Sequence, residues 1–200
     1  MVHEPVQQDE RRLLRIAVFN GVQSELVELK KAVFHDHPMY TQRMATSKIK
    51  PGKERSAEKI RTLEIVFPNQ TNHYGTMFGG QVIALADKAA YFAANKFCHC
   101  NVVTASMERF DFKHPIRSGD TVECEAKVVF TGRSSMIVKV DIFAESRNSD
   151  QRVLCTSGYL TMVALDESGK PSPIPPLKIK TVQEQEDWEE ARKIRKMHTR

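Results

Sequence analysis

The sequence predicts an α+β domain in which an antiparallel sheet wraps one central helix, with helical extensions at the N- and C-terminal ends. Three observations predict it. A glycine pair, Gly79 and Gly80, opens an alanine-rich stretch of helical spacing over residues 80–95. One segment of strand-type alternation precedes that stretch, and further alternating segments fill residues 102–165. The unpaired edges of such a sheet favour self-association.

Residues 7–34 read as one interrupted helix or two short ones, with Leu13, Leu14, Ala17 and Val18 followed, past a break at Gly21, by Val22, Leu26, Leu29 and Val33. Residues 39–56 are mixed and polar, punctuated by Pro51 and Gly52, and form a connector. In residues 61–67, Leu63, Ile65 and Phe67 recur at period two, the mark of a half-buried strand. The central helix follows. Residues 102–114, with Val102, Val103, Met107, Phe110 and Phe112, make one long bent strand or two short ones, ended by Pro115, Ser118 and Gly119. In residues 122–130 the apolar face is Val122, Cys124, Ala126, Val128 and Phe130, and Glu123, Glu125 and Lys127 face the other way. A turn at Thr131, Gly132 and Arg133 leads to Met136, Val138, Val140, Ile142 and Ala144, completing a hairpin. A last strand spans residues 153–165, a proline-rich stretch ends the sheet, and residues 181–197 form a charged helix, acidic first and basic last as the helix dipole favours. The organisation is thus an N-terminal extension and basic connector over residues 1–57, a sheet-and-helix domain over 58–168, and a proline-rich linker with a terminal helix over 169–200.

Composition narrows the function classes. The 200 residues are 40% hydrophobic and 28% charged, and no apolar run is long enough for a membrane span. The first residues lack the apolar core of a secretory signal, and four cysteines are too few for a disulfide scaffold, so a reducing, cytoplasmic setting is expected. Cys98, His99 and Cys100 stand together, but no second ligand pair at metal spacing completes them, so no metal is expected and the cysteines read as buried or helix-terminal thiols. The formal charge of +5 is concentrated in part between Arg43 and Arg61, a basic connector that either attracts anions or is simply solvated.

On the central helix, Val82, Ala86, Ala89, Ala93 and Phe97 form the buried stripe, and Gln81, Lys88 and Asn95 lie opposite. Asp87 falls between them, with Ile83 and Tyr91 one turn away. Partial desolvation of an unpaired carboxylate raises its pKa and suits it to proton transfer, while an ion pair with Lys88 is the structural alternative. Free N–H groups at a helix start without a Cβ in the way suit a carbonyl oxygen that gains negative charge; close packing is the alternative use of the glycines.

Three motifs, TNHYGTMFGGQVIALAD, VVTASMERFDFKHPIRSGDTV and the GRSSM turn, together resemble the hotdog-fold acyl-CoA thioesterases over residues 61–166. The resemblance implies a hotdog fold and hydrolysis of fatty acyl-CoA to free fatty acid and coenzyme A, which is part of the substrate and a product, so no separate cofactor is expected. It makes Asp87 the catalytic carboxylate and Gly80 the oxyanion donor. Thr76 stands where the family often has Asn or Asp, in a polar catalytic role. Asn72, His73, Phe78 and Gly79 contact substrate, and Arg133, Ser134 and Ser135 lie near the pantetheine and phosphates. A plain hairpin turn is the alternative role for that last group. His73 and His114 lack an accompanying GxSxG elbow, which argues against a serine hydrolase.

Gly80 and Asp87 are seven residues apart, about 10 Å along a helix. That is too far for both to act on one carbonyl, and a site shared between two subunits removes the difficulty. A homo-oligomer is therefore expected, a dimer of hotdogs with a trimer of dimers as the larger assembly, and no nucleic-acid partner. Asp87 acts as general base on water or as nucleophile. The competing readings are an acyl-CoA-sensing hotdog regulator using its basic extension, and a hotdog dehydratase or hydratase.

Overall fold

The computed structural model describes residues 53–146 and 151–197. The helical segment read over residues 7–34 and almost all of the connector lie outside them.

Five strands form one sheet: β1 (Ile60–Ile65), β2 (Asn101–Glu108), β3 (Thr121–Thr131), β4 (Ser135–Glu145) and β5 (Arg152–Leu165), in the order β1-β3-β4-β5-β2 with every neighbouring pair antiparallel. Helix α1 (Gly79–Cys98) packs on the inner face. Its contact surface is Val82, Leu85, Phe97 and a row of alanines, all buried against Val122, Ala126, Val138, Val140 and Leu160 of the sheet. Small side chains bring a helix close to a sheet, and alanine does so without loss of helix propensity. The expected stripe is the one that is buried.

The strand periods fix faces with two exceptions. The period-two residues Leu63 and Ile65 of β1, and Phe67 just beyond it, are 71%, 55% and 58% exposed, and the inner side of β1 carries Thr62 and Glu64. Leu63 pairs with Glu123 on the outer face and Thr62 with the core residue Cys124, so the expected half-buried face is the outward one. On β3 a register shift between Val128 and Phe130 turns Phe130 to the outer side opposite Ile137, away from the core face expected for it.

The segment expected as a long bent strand is one strand followed by a crossing. β2 ends at Glu108, and Arg109 takes a positive φ of 24°. The chain then turns back, with the Lys113 N–H donating to the Cys155 carbonyl at 2.8 Å. Phe110 lies flat over Gly158, where any Cβ would meet its ring at 2.6 Å. Glycine is required there by packing.

Residues 169–197 do not lead away from the sheet as a linker would. The proline-rich stretch runs along it as a strap: the N–H groups of Ser172 and Ile174 donate to the carbonyls of Ala164 and Arg133, and that of Leu177 to the Thr131 hydroxyl. Arg55 closes the other side, donating to the Pro176 carbonyl and accepting from the Lys178 N–H. Helix α2 (Val182–Met197) then covers part of the outer face, burying Ala191 and Ile194 against Val129 and Ile137 and setting Trp188 beside Phe130.

The cysteines also depart from expectation. Helix α1 ends at His99 in the left-handed conformation, which folds Cys100 back so that it forms a disulfide with Cys98. Cys124 and Cys155 remain free thiols, and burial pushes both pKa values up, that of Cys124 to about 11, so they are protonated and unreactive. Among the described residues no group of three His, Cys, Asp or Glu side chains is placed to hold a metal, and no helix is long and apolar enough to cross a membrane.

Candidate active site at the start of the central helix

The loop ahead of α1 is organised by Asn72. Its main chain pairs with Thr76 and Gly75, and its side-chain oxygen accepts from the N–H groups of Tyr74 (2.9 Å) and Thr76 (3.3 Å). Its amide nitrogen donates to the Thr76 hydroxyl at 3.0 Å, so these two polar residues act as one unit. Gly75 takes a φ of 72°, the conformation that such a tight return needs. At the tip the His73 ring packs against that of Tyr74, tilted by 42° with centroids 3.9 Å apart, and both are exposed.

Helix α1 starts immediately after Phe78, which supplies no side-chain cap. The first N–H groups therefore have no side-chain acceptor at the N-cap, and the helix dipole adds positive potential there. The two glycines differ. A Cβ on Gly79 would touch the Phe112 ring at 3.5 Å, whereas one on Gly80 would meet nothing within 4 Å. Gly80 thus faces open space. Beside it lies a cleft of about 330 Å³ lined by Thr76, Gly79, Phe112, Lys113 and His114 among others. His114, weighed in the sequence only as a triad member, belongs to this wall.

Asp87 sits two turns along α1 and is half-buried. Its carboxylate accepts a 2.6 Å hydrogen bond from the Thr104 hydroxyl on β2. The structural alternative of a Lys88 pair does not describe this contact. Thr104 is placed by a register shift between itself and Ser106, a bulge that tilts the strand beside the helix. The strand is terminal in the sheet, so this pair lies next to an open edge.

The sequence residues fall into three places. Asn72, His73, Thr76, Phe78, Gly79 and Gly80 form the helix-start cluster. Asp87 stands apart from it, and Gly80 and Asp87 keep their separation of about 10 Å along the helix. Arg133, Ser134 and Ser135 form the β3–β4 turn. There Arg133 is exposed, whereas Ser135 is buried and its hydroxyl accepts from Arg195 of α2 at 2.7 Å. Two residues escaped the sequence reading. Thr104 carried a signal, since it shares the inward-facing period of buried Val102 and is polar. Arg195 carried none, being one of several basic residues at a helix end.

A helix wrapped by a five-stranded antiparallel sheet, with an open glycine start and an acid further along, defines a hotdog-fold thioesterase. Residues 74–150 match the thioesterase superfamily model. An uncharacterized acyl-CoA thioester hydrolase of Bacillus subtilis is 40% identical over 117 residues, 58% of this chain and 68% of that protein. A hexameric acyl-CoA thioesterase crystallised in its apo form superposes with a TM-score of 0.70 at 38% identity, covering 74% of this chain and 98% of that one. The acyl-CoA hydrolase of Staphylococcus aureus, solved with butyryl coenzyme A, coenzyme A and coenzyme A disulfide, gives 0.63 at 37% identity, covering 70% and 90%. That hydrolase has also been solved as three alanine variants, of an asparagine, an aspartate and a threonine. The chain belongs to this acyl-CoA hydrolase family of hotdog-fold thioesterases.

Proposed function

We propose that the chain hydrolyses fatty acyl-CoA to a free fatty acid and coenzyme A, with Asp87 as general base. The observation that carries this reading is the Asp87–Thr104 hydrogen bond, which fixes the carboxylate on the helix beside the open edge of β2. The three residues replaced in the staphylococcal hydrolase are spaced fifteen and seventeen positions apart. Asn72, Asp87 and Thr104 have the same types and the same spacing. This supports one functional set in which Asn72, braced by Thr76, takes the polar role that the family resemblance gave to Thr76.

Asp87 takes a proton from water as the oxygen attacks the thioester carbonyl. The developing oxyanion is held by the N–H of Gly80, and as the tetrahedral intermediate collapses the C–S bond breaks and the proton taken up by Asp87 passes to the sulfur, so that coenzyme A leaves as the thiol and the carboxylate is regenerated. The acid and the oxyanion donor come from different subunits. Two copies joined edge to edge through β2 place the helix start of one beside Asp87 of the other, giving two sites per dimer, and three such dimers make a hexamer.

A panel of acyl-CoA chain lengths read by thiol release tests the activity, with Asp87→Asn as control. Turnover in that variant is expected to fall about a thousandfold, and unchanged turnover would refute the site. Mixing Asp87→Asn subunits with Gly80→Pro subunits should recover part of the activity; verified heterodimers that stay inert would exclude sharing.

A further inference from the structure

Only His99 and Cys100 separate helix α1 from strand β2, the two elements that hold the Asp87–Thr104 hydrogen bond. Thr104 lies four residues past Cys100, about 13 Å of strand, so a swing of β2 at this junction is felt at the carboxylate. The junction is held from within by three links. The His99 N–H donates to the Asn95 carbonyl at 2.7 Å, the Asn95 side-chain amide donates to the Cys100 carbonyl at 2.9 Å, and the disulfide joins Cys98 to Cys100. From outside, the Arg55 guanidinium donates to the Phe97 carbonyl at 2.6 Å and Lys96 pairs with Glu58 at 2.8 Å, which ties the helix end to the chain ahead of β1.

The bridge is poorly suited to a staple. What a disulfide removes from the freedom of the unfolded chain grows with the loop it closes, and these cysteines stand only two positions apart. Its two sulfurs differ in access, as an exchanging pair requires: Cys98 is fully buried, whereas Cys100 is partly exposed. The broken state is provided for as well. A freed Cys98 thiol has the Cys100 carbonyl as acceptor at 3.7 Å, so opening replaces a covalent bond by a weak hydrogen bond and leaves no buried thiol without a partner. The junction thus has two satisfied states, one tight and one loose. The other two cysteines of the sequence are free and buried on β3 and β5, so they do not compete for Cys100.

We propose that Cys98 and Cys100 are a reversible redox site, closed by hydroperoxides and opened by dithiols, whose state sets how firmly β2 holds Thr104 against Asp87. The effect on turnover rests on the thioesterase reading; the exchange chemistry does not. In closing, the Cys100 thiolate attacks one oxygen of hydrogen peroxide, the O–O bond breaks, and the departing hydroxide takes up a proton as water, leaving a sulfenic acid on Cys100. The Cys98 sulfur then attacks the Cys100 sulfur, the S–O bond breaks, and the hydroxide leaves as a second water with the Cys98 proton. Two thiols are oxidised to one disulfide and one peroxide is reduced to two waters. In opening, one thiolate of the dithiol attacks the accessible Cys100 sulfur and Cys98 departs. The second thiolate closes on the first sulfur of the dithiol and releases Cys100, so the dithiol becomes a cyclic disulfide and its two protons end on Cys98 and Cys100.

The test equilibrates the full chain with dithiothreitol or with hydrogen peroxide and then counts thiols by alkylation in denaturant with mass detection. All four cysteines should be alkylated after dithiothreitol, and only Cys124 and Cys155 after peroxide. Amide hydrogen exchange over residues 99–104 should be faster in the opened protein. With an acyl-CoA, kcat of the opened protein should be about fivefold lower and KM within about twofold, and peroxide should restore both. Cys100→Ser should match the opened state and ignore peroxide, while reduced wild type reads that state without any substitution. A bridge that dithiothreitol cannot open in the folded protein overturns the proposal, as does one that opens with exchange and kcat unchanged. A wild-type protein inert toward every thioester would refute the hydrolysis, and the thiol count and the exchange rates would still decide the redox site.

Discussion

Helices α1 and α2 lie on opposite faces of the same sheet and are held there by different physics. The first buries nine of its 20 residues, mostly alanine, and its free energy comes from close apolar packing. The second buries only Ala191 and Ile194 in 16 residues and is fastened by Lys127–Glu184 and Lys139–Asp187 with Trp188 on Phe130. On the proposed reading α1 positions the reacting carboxylate and must be immobile, and apolar packing on all but one edge achieves that independently of pH and salt. A helix that brings Arg195 to the β3–β4 turn can be held by charges, at the cost of sensitivity to solution conditions.

Substitutions on the two faces should therefore separate in what they change. The largest effect on stability is expected from Gly158→Ala on the inner face, where the new methyl must displace Phe110. Overpacking of this kind costs about 1–3 kcal/mol, read as a lower denaturant midpoint. Activity should fall too, because the displaced chain continues into Phe112 and His114 of the cleft wall. Thr104→Val comes next: kcat should drop on the order of tenfold as Asp87 loses its hydrogen bond, with little change in melting temperature, and Thr104→Ser should keep most of the rate. A Thr104→Val enzyme of full activity would show the bond to be structural.

The smallest effect belongs to the outer face. Glu184 has its carboxyl held below the usual range, first by the hydrogen bond from Lys127 and then by the Lys180 main-chain N–H. A carboxylate with a depressed folded pKa adds stability above its unfolded pKa of about 4.3, and that stability disappears as pH falls through the lower folded value. Melting temperatures of wild type and Glu184→Gln should differ near neutrality and converge as pH falls below the lowered folded pKa of Glu184, with kcat unaffected at neutral pH. A constant gap across that range would mean that the ion pair does not fasten α2.

The same contrast explains what the sequence disclosed. Helix α1, its stripe and the β3–β4 hairpin were legible because period and turn chemistry are local properties. The hotdog arrangement, and Asp87 as the candidate acid, followed from those together with the motifs. Period two gives a strand two faces without saying which is inward, so Leu63 and Ile65 on edge strand β1 were assigned to the wrong side. A bulge has no residue signature of its own, and Phe130 changed face because of one. The contacts of Thr104 with Asp87 and of Arg195 with Ser135 join residues far apart in the chain, and no local pattern announces them.

The strap beside β5 has a consequence for the timing of folding. Arg55 precedes the first strand, yet among the described residues its main-chain N–H and carbonyl are satisfied by Pro176 and Lys178, beyond the last. A chain emerging from the ribosome N-terminus first must hold those two groups in water until the whole sheet has been synthesised. The outer face and the entry to the domain are thus sealed in one late event, and a pause in translation before the strap would leave a half-covered sheet exposed to chaperones.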